Sequence, residues 1–279
     1  MLGLSYASIF DSLWKQTELY EKLSETYEQL KINNKMQQEF VNIAAHELRT
    51  PIQPILGLTD VLRSDKTLDR AAQEELLDVI VRNVKRLQRL ADDILDVTKI
   101  ESYSLKLDKE EINLNKMISD LIQDHKAQVG KANTNIQLVY ESDKDIIIVE
   151  ADKSRLAQVI SNLLNNAIKF TREGVISVKT TIKKELDSNE IVVVSVRDTG
   201  SGIDPEILPK LFSRFASKSF SDTGLGLFIS KSIVEAHGGT IWAEDNSARQ
   251  GSTFSFSLPL SNFPKINSTS LIQTKHQQQ

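Results

Sequence analysis

The stretch from residue 40 to residue 51 reads Phe40-Val-Asn-Ile-Ala-Ala-His46-Glu47-Leu-Arg49-Thr50-Pro51. It lies inside a run from Leu13 to about Ser64 that is almost free of glycine and rich in Glu, Lys, Gln and Leu. In this run three leucines and a threonine are spaced four, three and four, at Leu19, Leu23, Thr26 and Leu30. This is heptad spacing, so we predict a long helix whose first part, residues 1–34, is a coiled coil or an amphipathic surface helix.

A second helical run opens near Leu68 and closes near Ile100. Its apolar residues again alternate by three and four, at Leu77, Ile80, Val84, Leu87, Ala91 and Ile94. Only residues 64–67 separate the two runs, and long helices with so short a connection form an antiparallel hairpin. A single apolar seam is too narrow for a stable core, so we predict that residues 35–104 dimerise into a four-helix bundle.

The pattern changes to mixed helix and strand after about Leu105. Helices are predicted from Asp152 to Phe170 and after Gly224. Because serine alternates with Phe and Leu in the last predicted strand, that strand should have one buried face. Residues 105–262 should form an α+β sandwich domain, and the polar tail 263–279 should be disordered. The predicted strands are Ile136–Tyr140, Ile146–Val149, Val175–Lys183, Ile191–Val196 and Ser252–Leu260.

The composition excludes several classes of function. A formal net charge of −4 without a basic block gives no footprint for nucleic acid or an anionic membrane surface. The absence of cysteine excludes disulfides, thiolate zinc sites and cysteine nucleophiles. No stretch approaches 18 apolar residues, and residues 1–10 lack the marks of a signal peptide, so we predict a cytoplasmic chain without direct membrane contact. His125 and His237 lie in no motif and should be structural.

The stretch around His46 carries the sharpest chemical signal. A neutral imidazole is a competent nucleophile at pH 7, and the neighbouring Glu47 carboxylate can orient it and take its proton. Thr50 lies at i+4 from His46 on the same helix face, and Pro51 tends to bend the helix there. The stretch resembles the H-box of the HisKA family of sensor histidine kinases. In that family the residue matching Thr50 helps to dephosphorylate a partner, which implies this role for Thr50.

A second motif reads Asp152-Lys-Ser-Arg155-Leu-Ala-Gln158-Val-Ile-Ser-Asn162-Leu-Leu-Asn165-Asn166-Ala-Ile-Lys169-Phe170. On a helix, Asn162, Asn166 and Lys169 share one face. Amide oxygens suit Mg²⁺ and an ammonium suits phosphate, although an Asn-rich helix standing alone is usually a polar surface stripe. The segment looks like the N-box of the same family. This implies Asn166 as the direct magnesium ligand, Asn162 in support, Lys169 on phosphate and Phe170 as a further nucleotide contact.

Two glycine-rich segments follow in the expected order. The first, Val196-Arg-Asp198-Thr-Gly200-Ser-Gly202-Ile203, follows an apolar strand and resembles the G1 box. There the family's aspartate accepts a hydrogen bond from the adenine amino group and the glycines let the backbone approach the nucleotide. The second, Asp222-Thr223-Gly224-Leu225-Gly226-Leu, resembles the G2 box and places two glycines at a helix start. Free amide N–H groups and the helix dipole attract phosphate at such a start.

Between these segments, Leu211-Phe212-Ser-Arg214-Phe215-Ala-Ser-Lys218 resembles the F-box. The resemblance implies that residues 213–223 form a mobile lid over the nucleotide, with Phe212 among its contacts and Lys218 as a candidate lid cation. The lid is short, and Asp222 stands where relatives often have glycine. Its carboxylate either weakens ATP binding or points to solvent.

The five motifs span roughly residues 35–260. They imply a dimeric sensor histidine kinase with an ATP-binding domain of the Bergerat type, which uses Mg²⁺ and ATP to phosphorylate His46 and then passes the phosphoryl group to an aspartate of a response regulator. Two alternatives remain at this point: an ATPase of the clan shared with gyrase and heat-shock chaperones, or a catalytically silent dimeric scaffold. The residues before Phe40 are too few for a sensor, so we expect a sensor, with any membrane segment, upstream in a longer protein.

Overall fold

A computed structural model describes residues 2–65, 67–131, 135–184, 190–216, 223–246 and 251–260. The chain divides into two compact units, Met1–Leu95 and Asp96–Gln279. The predicted disordered tail lies outside the described residues. None of the described helices is both long and apolar enough to cross a membrane.

The first unit is built from two long helices, α1 (Leu2–Ser64) and most of α2 (Arg70–Glu101). The helix α1 starts earlier than the sequence pattern indicated and contains both Pro51 and Pro54. The Asp69 carboxylate accepts a hydrogen bond from Ala72 N at 2.7 Å, which caps the start of α2. An ion pair between Glu47 of α1 and Arg86 of α2 joins positions about equally far from the connection, as an antiparallel hairpin requires.

The described residues of the second unit include two β-sheets, the end of α2 and three further α-helices. In the larger sheet the strand order is β2-β4-β5-β7-β6, in which β2 and β4 are parallel and the other neighbours are antiparallel. Strands β1 and β3 form a separate antiparallel pair. The elements are β1 (Glu110–Asn113), α3 (Leu114–Lys131), β2 (Ile136–Ser142), β3 (Ile148–Ala151), α4 (Lys153–Phe170), β4 (Gly174–Lys184), β5 (Glu190–Arg197), a 3₁₀ turn (Leu208–Lys210), α5 (Gly226–Ala236), β6 (Ile241–Asp245) and β7 (Ser252–Pro259).

The helices pack on the larger sheet, α3 against β2, α4 against β5, and α5 against β6 and β7. The core between these layers is apolar because α4 turns one continuous stripe inward, formed by Leu156, Val159, Ile160, Leu163, Leu164 and Ala167. This arrangement confirms the predicted helical hairpin followed by an α+β sandwich. The sequence analysis missed β1, α3 and β6.

The prediction of a single buried face on the last strand is wrong. In β7 the serines are buried as well as the aromatic residues, since Ser255 and Ser257 are 3% and 6% exposed. Their hydroxyls are satisfied inside the protein: Ser255 Oγ lies 2.8 Å from Ser195 Oγ, and Ser257 Oγ accepts a hydrogen bond from Thr240 N at 3.1 Å. These serines can be buried because a neighbouring strand or loop provides a hydrogen-bond partner for each hydroxyl.

His125 and His237 are both buried in the second unit. His125 Nδ1 lies 2.8 Å from Leu121 O. His237 Nδ1 lies 2.8 Å from Ile233 O, and its Nε2 accepts a hydrogen bond from Asp152 N at 2.9 Å. Because Nε2 accepts, the ring is neutral, with its proton on Nδ1. His237 thus ties the end of α5 to the start of α4, in agreement with the predicted structural role.

Acid should destabilise the second unit through His237. Burial holds the pKa of His237 below its ordinary value of 6.5, against a smaller opposing contribution from the hydrogen bond to Ile233 O. The unfolded chain therefore binds a proton more readily than the folded one, and the unfolding free energy falls as the pH drops below about 6.5, by at most about 1.4 kcal/mol per pH unit.

The measurement is the unfolding free energy at about pH 7.5 and about pH 5.5 for the parent chain and for His237→Gln. Glutamine offers one donor and one acceptor but does not titrate in this range. The parent chain should lose more stability than the variant between the two pH values. Equal losses would show that His237 does not contribute to acid destabilisation.

Candidate active site

The candidate phosphoacceptor lies in the second half of α1. The His46 side chain is 69% exposed, so its ring nitrogens are accessible to a reactant. The Thr50 hydroxyl donates a hydrogen bond to the backbone oxygen of His46 at 3.0 Å, which holds it on the same helix face. The predicted placement of His46 and Thr50 side by side is therefore present in the fold.

Glu47 lies beside His46 but has a second partner that the sequence did not indicate. Glu47 Oε1 lies 3.9 Å from His46 Nδ1, which is too long for a hydrogen bond, while Glu47 Oε2 accepts one from Arg86 Nη2 at 3.1 Å. Arg86 and Glu47 are both largely buried. The ion pair fixes the carboxylate on the side of the imidazole where Nδ1 lies.

The helix α4 positions the N-box side chains because its N-terminus is firmly capped. Asp152 Oδ1 accepts hydrogen bonds from Ser154 N, Ser154 Oγ and Arg155 N, and Oδ2 accepts one from Asp108 N. Burial raises the pKa of Asp152, but the four hydrogen bonds together lower it by more. The pKa of Asp152 therefore lies below the ordinary value for an aspartate. A carboxylate that stays ionised is a strong cap.

Along this helix, Asn162 and Asn166 are partly buried and Lys169 is exposed. The Asn162 amide donates a hydrogen bond to Ser230 Oγ of α5 at 3.0 Å. A Cβ added at Gly226 would collide with the side-chain oxygen of Asn162, so only glycine leaves room there. The N-box and G2 segments, far apart in sequence, therefore meet at the start of α5.

Asp198 is the buried carboxylate of the second unit's glycine-rich region, with only 2% of its surface exposed. Its Oδ1 accepts hydrogen bonds from Gly200 N at 2.8 Å and Ser252 N at 3.3 Å, and its Oδ2 accepts one from Ser252 Oγ at 2.5 Å. The sequence did not indicate Ser252 as a site residue. The local signal there is Gly251, which marks the start of a strand. The two residues fix the direction of the carboxylate.

The rest of the G1 segment is held by elements that precede and follow it. Gly200 lies against the end of α4, and a Cβ at this position would collide with the backbone oxygen of Phe170. Gly202 follows in the same loop, and Ile203 N donates to Asp245 Oδ1 of β6 at 3.3 Å. Phe170, Gly200 and Asp198 are thus neighbours, as the motif resemblance implied.

The first turn of α5 receives no side-chain hydrogen bond from its N-cap residue, Leu225. Just before it, Thr223 Oγ1 accepts from Leu225 N at 3.3 Å, and Gly224 adopts the left-handed conformation with φ of 63°. The first free amide groups of a helix need partners, and a phosphate is a suitable one.

The F-box precedes this helix. Phe212 is partly buried and follows the 3₁₀ turn. Arg214 forms an ion pair with Glu101, the last residue of α2, and its guanidinium carbon lies 5.1 Å from the centre of the Phe228 ring. The candidate lid cation Lys218 and the carboxylate Asp222 lie outside the described residues.

Two family models match these two parts of the chain. The His Kinase A (phospho-acceptor) domain matches residues 36–103, and the Histidine kinase-, DNA gyrase B-, and HSP90-like ATPase matches residues 151–262. The chain belongs to the sensor histidine kinase family of two-component signalling. Residues 151–262 are accordingly an ATP-binding domain. These matches do not favour the clan ATPase or the silent scaffold.

Individual relatives agree with the family. The chain is 34% identical over 256 residues to hybrid signal transduction histidine kinase L of Dictyostelium discoideum and 35% identical over 239 residues to sensor histidine kinase GacS of Pseudomonas protegens. These matches cover 89% and 83% of this chain but only 15% and 25% of the relatives.

A solved structure of histidine kinase ThkA in complex with response regulator protein TrrA is also similar. It is 34% identical, with a TM-score of 0.59, and the match covers 87% of this chain and 66% of that chain. The two longer kinases named above match this chain over one part of their length only.

Proposed function

We propose that this chain transfers the γ-phosphoryl group of ATP to its own His46 and then to an aspartate of a response regulator. The observation that carries the proposal is the presence, in one chain, of an exposed histidine beside a fixed carboxylate and of an ATP-binding domain with a buried, oriented aspartate. An ATPase alone would need no exposed histidine in a matched phosphoacceptor domain.

The nucleotide site combines three parts of the second unit. Asp198 is the acceptor for the adenine amino group, because its carboxylate is buried and already oriented by Ser252. The start of α5, at Gly224 and Gly226, receives the phosphates on the first backbone amides of the helix, to which the N-cap residue Leu225 makes no side-chain hydrogen bond. Lys169 supplies a cation, and the remaining contacts we assign to ATP are Asn162, Phe170, Gly200, Gly202, Ile203, Phe212, Lys218, Thr223 and Leu225.

Asn166 is the residue we assign to Mg²⁺. An amide oxygen together with waters and phosphate oxygens suits this ion, which keeps several waters in protein sites. The residues present fit, since Asn166 offers a partly buried amide oxygen one helical turn after Asn162, whose own amide donates to Ser230 of α5. When bound, Mg²⁺ neutralises phosphate charge during transfer.

We infer a role for each ring nitrogen of His46 from its position relative to Glu47. Because Nδ1 is the nitrogen that lies 3.9 Å from Glu47 Oε1, we assign the proton to Nδ1 and the nucleophilic lone pair to Nε2. The Nε2 lone pair forms the bond to the γ-phosphorus while the bond from phosphorus to the leaving oxygen of ADP breaks. The Nδ1 proton then passes to Glu47, whose other oxygen remains paired with Arg86.

The unit that carries His46 has an apolar surface that suits a second copy of the chain. Large apolar side chains on both helices are exposed, among them Val41, Ile43, Ile52, Leu56 and Val61 of α1 and Leu77, Val81, Val84 and Leu95 of α2. Exposed apolar rows on a two-helix hairpin are buried when two hairpins form a four-helix bundle. We therefore propose a homodimer.

The acceptor of the phosphoryl group is proposed from a relative. ThkA, which is similar over most of this chain, has been solved with a response regulator. Incubation of the chain with Mg²⁺ and γ-labelled ATP tests the first half of the proposal, and addition of a receiver domain tests the second. Label that is stable to alkali and labile to acid establishes phosphohistidine, and its absence in a chain that binds ATP excludes the kinase activity.

Thr50→Ala should impair dephosphorylation of the response regulator while His46 is still phosphorylated. The Thr50 hydroxyl lies next to His46 and can orient a water toward a phosphoryl group. Loss of one such hydrogen bond should slow dephosphorylation by roughly tenfold or more. The assay uses a receiver domain that the phosphorylated chain is found to label. Thr50→Ser keeps the hydroxyl and should retain the activity; an unchanged rate in Thr50→Ala would exclude this role.

A further inference from the structure

The C-terminal end of α2 makes two charged contacts within the second unit. Asp96, which is 7% exposed, accepts hydrogen bonds from Arg155 Nη1 at 2.7 Å and from Gln158 Nε2 at 2.9 Å. Further along the same helix, Glu101 forms the ion pair with Arg214. The first contact anchors the helix end to α4, and the second reaches the F-box. Neither Glu101 nor Arg214 is among the residues assigned to ATP or to the reaction.

Arg214 is held from two sides. Its guanidinium faces the Glu101 carboxylate and also the ring of Phe228, which lies in the first turn of α5. The side chains of the ion pair are 30% and 31% exposed, so water screens the pair only in part. A guanidinium with a carboxylate partner and an aromatic face has a defined orientation. Arg214 therefore links the F-box to the C-terminal end of α2 and to the first turn of α5.

The backbone next to Arg214 is strained and tightly packed. Phe215 has a positive φ of 58°, which is unfavourable for an aromatic residue and persists only where the surroundings hold it. Its Cα would lie 2.7 Å from a Cβ at Gly224, so residues 215 and 224 pass each other at backbone distance. Arg214 and Phe215 belong to the F-box, and Gly224 lies just before α5. Holding Arg214 therefore holds the F-box beside the start of α5.

We propose that Glu101 is a positioning residue for nucleotide binding, which acts through Arg214 to hold the F-box beside the first turn of α5. The inference rests on the proposed function, in which the start of α5 receives the phosphates of ATP. Glu101 contacts neither ATP nor His46 in this scheme. Its loss should therefore weaken ATP binding without altering the chemical step.

The test compares the parent chain with Glu101→Gln, which keeps the side chain's shape and removes its charge. The dissociation constant for ATP with Mg²⁺ is measured by calorimetry, and the initial rate of His46 labelling is measured against ATP concentration. We expect Kd and KM for ATP to rise by about threefold to tenfold, the scale of one partly desolvated charge pair. The maximal labelling rate should change by less than about twofold.

A matched control lies at the other end of the same helix. Arg70 and Glu74 form an exposed ion pair of 3.2 Å, and Glu74→Gln should leave the ATP affinity unchanged. Arg214→Gln should weaken binding as Glu101→Gln does. The double variant should bind ATP no more weakly than Arg214→Gln alone, because Glu101 acts only through Arg214.

Three results would overturn the inference, provided that the variants unfold at the same temperature as the parent chain. These are an unchanged ATP affinity in Glu101→Gln, additive losses in the double variant, and tighter ATP binding, which would show that Glu101 competes with ATP for Arg214. A parent chain that binds no ATP would overturn both this inference and the proposed function. If ATP binds but His46 is not labelled, the kinase proposal fails and the affinities alone decide the role of Glu101.

Discussion

His46→Gln should reduce acid-labile labelling by γ-labelled ATP to background, a loss of more than about a thousandfold. The amide nitrogen of glutamine is not nucleophilic, so no bond to phosphorus can form. The His46 side chain is exposed and is not part of the core, so the variant should fold normally. The measurement is phosphohistidine, identified by its stability in alkali and lability in acid.

The control for this variant is the same substitution at a histidine outside the motifs. His276→Gln lies in the polar tail and should label as the parent chain does. His46→Gln should also bind ATP with unchanged affinity, because its side chain belongs to the first unit. Residual acid-labile label in His46→Gln would place the phosphoryl group on another histidine and refute the assignment.

Asp198→Asn should weaken ATP binding by about tenfold to a hundredfold. The aspartate accepts three hydrogen bonds from Gly200 and Ser252 and, in the proposed site, a further one from the adenine amino group. Asparagine has one oxygen instead of two. With that oxygen still bound to the backbone donors, its NH₂ group replaces Oδ2 and would meet the adenine amino group donor to donor.

The measurement is the ratio of the dissociation constants for ATP and GTP. Guanine carries an oxygen where adenine carries its amino group, so Asp198→Asn should shift the preference away from ATP rather than lower both affinities equally. Asp120→Asn, an exposed carboxylate on α3, is the matched control and should bind as the parent chain does. Equal losses for ATP and GTP would mean that Asp198 supports the fold of the site without reading the base.

Much of the fold could be predicted because its signals are local. The heptad-like spacing on both long helices and the short connection between them predicted the hairpin, and the predicted helix from Asp152 to Phe170 matches α4 to within one residue. The helix α3 also has a helical stripe, with Leu114, Ile118 and Ile122 buried, and could have been found. Strands β1 and β6 have four and five residues, too few for a clear alternation.

The candidate site divides in the same way. The residues within each motif are close in sequence, so the resemblance to the family's motifs implied His46, Asn166, Asp198 and Gly224 as candidates without any structure. Their partners could not be named, since Ser252 meets Asp198 through the pairing of β5 with β7, and Ser230 meets Asn162 through the packing of α4 on α5. Nothing local in a sequence states which distant segments become neighbours.

The helical hairpin, the α+β domain after it, the family resemblance and the chemical groups available for phosphoryl transfer could all be predicted from the sequence. The tertiary structure decided which group each of them faces: Arg86 beside Glu47, Ser252 beneath Asp198, and Glu101 against Arg214. The physical reason is range. Helix propensity, capping and glycine geometry act within a few residues, whereas hydrogen bonds and ion pairs form between whichever side chains the packed core brings together.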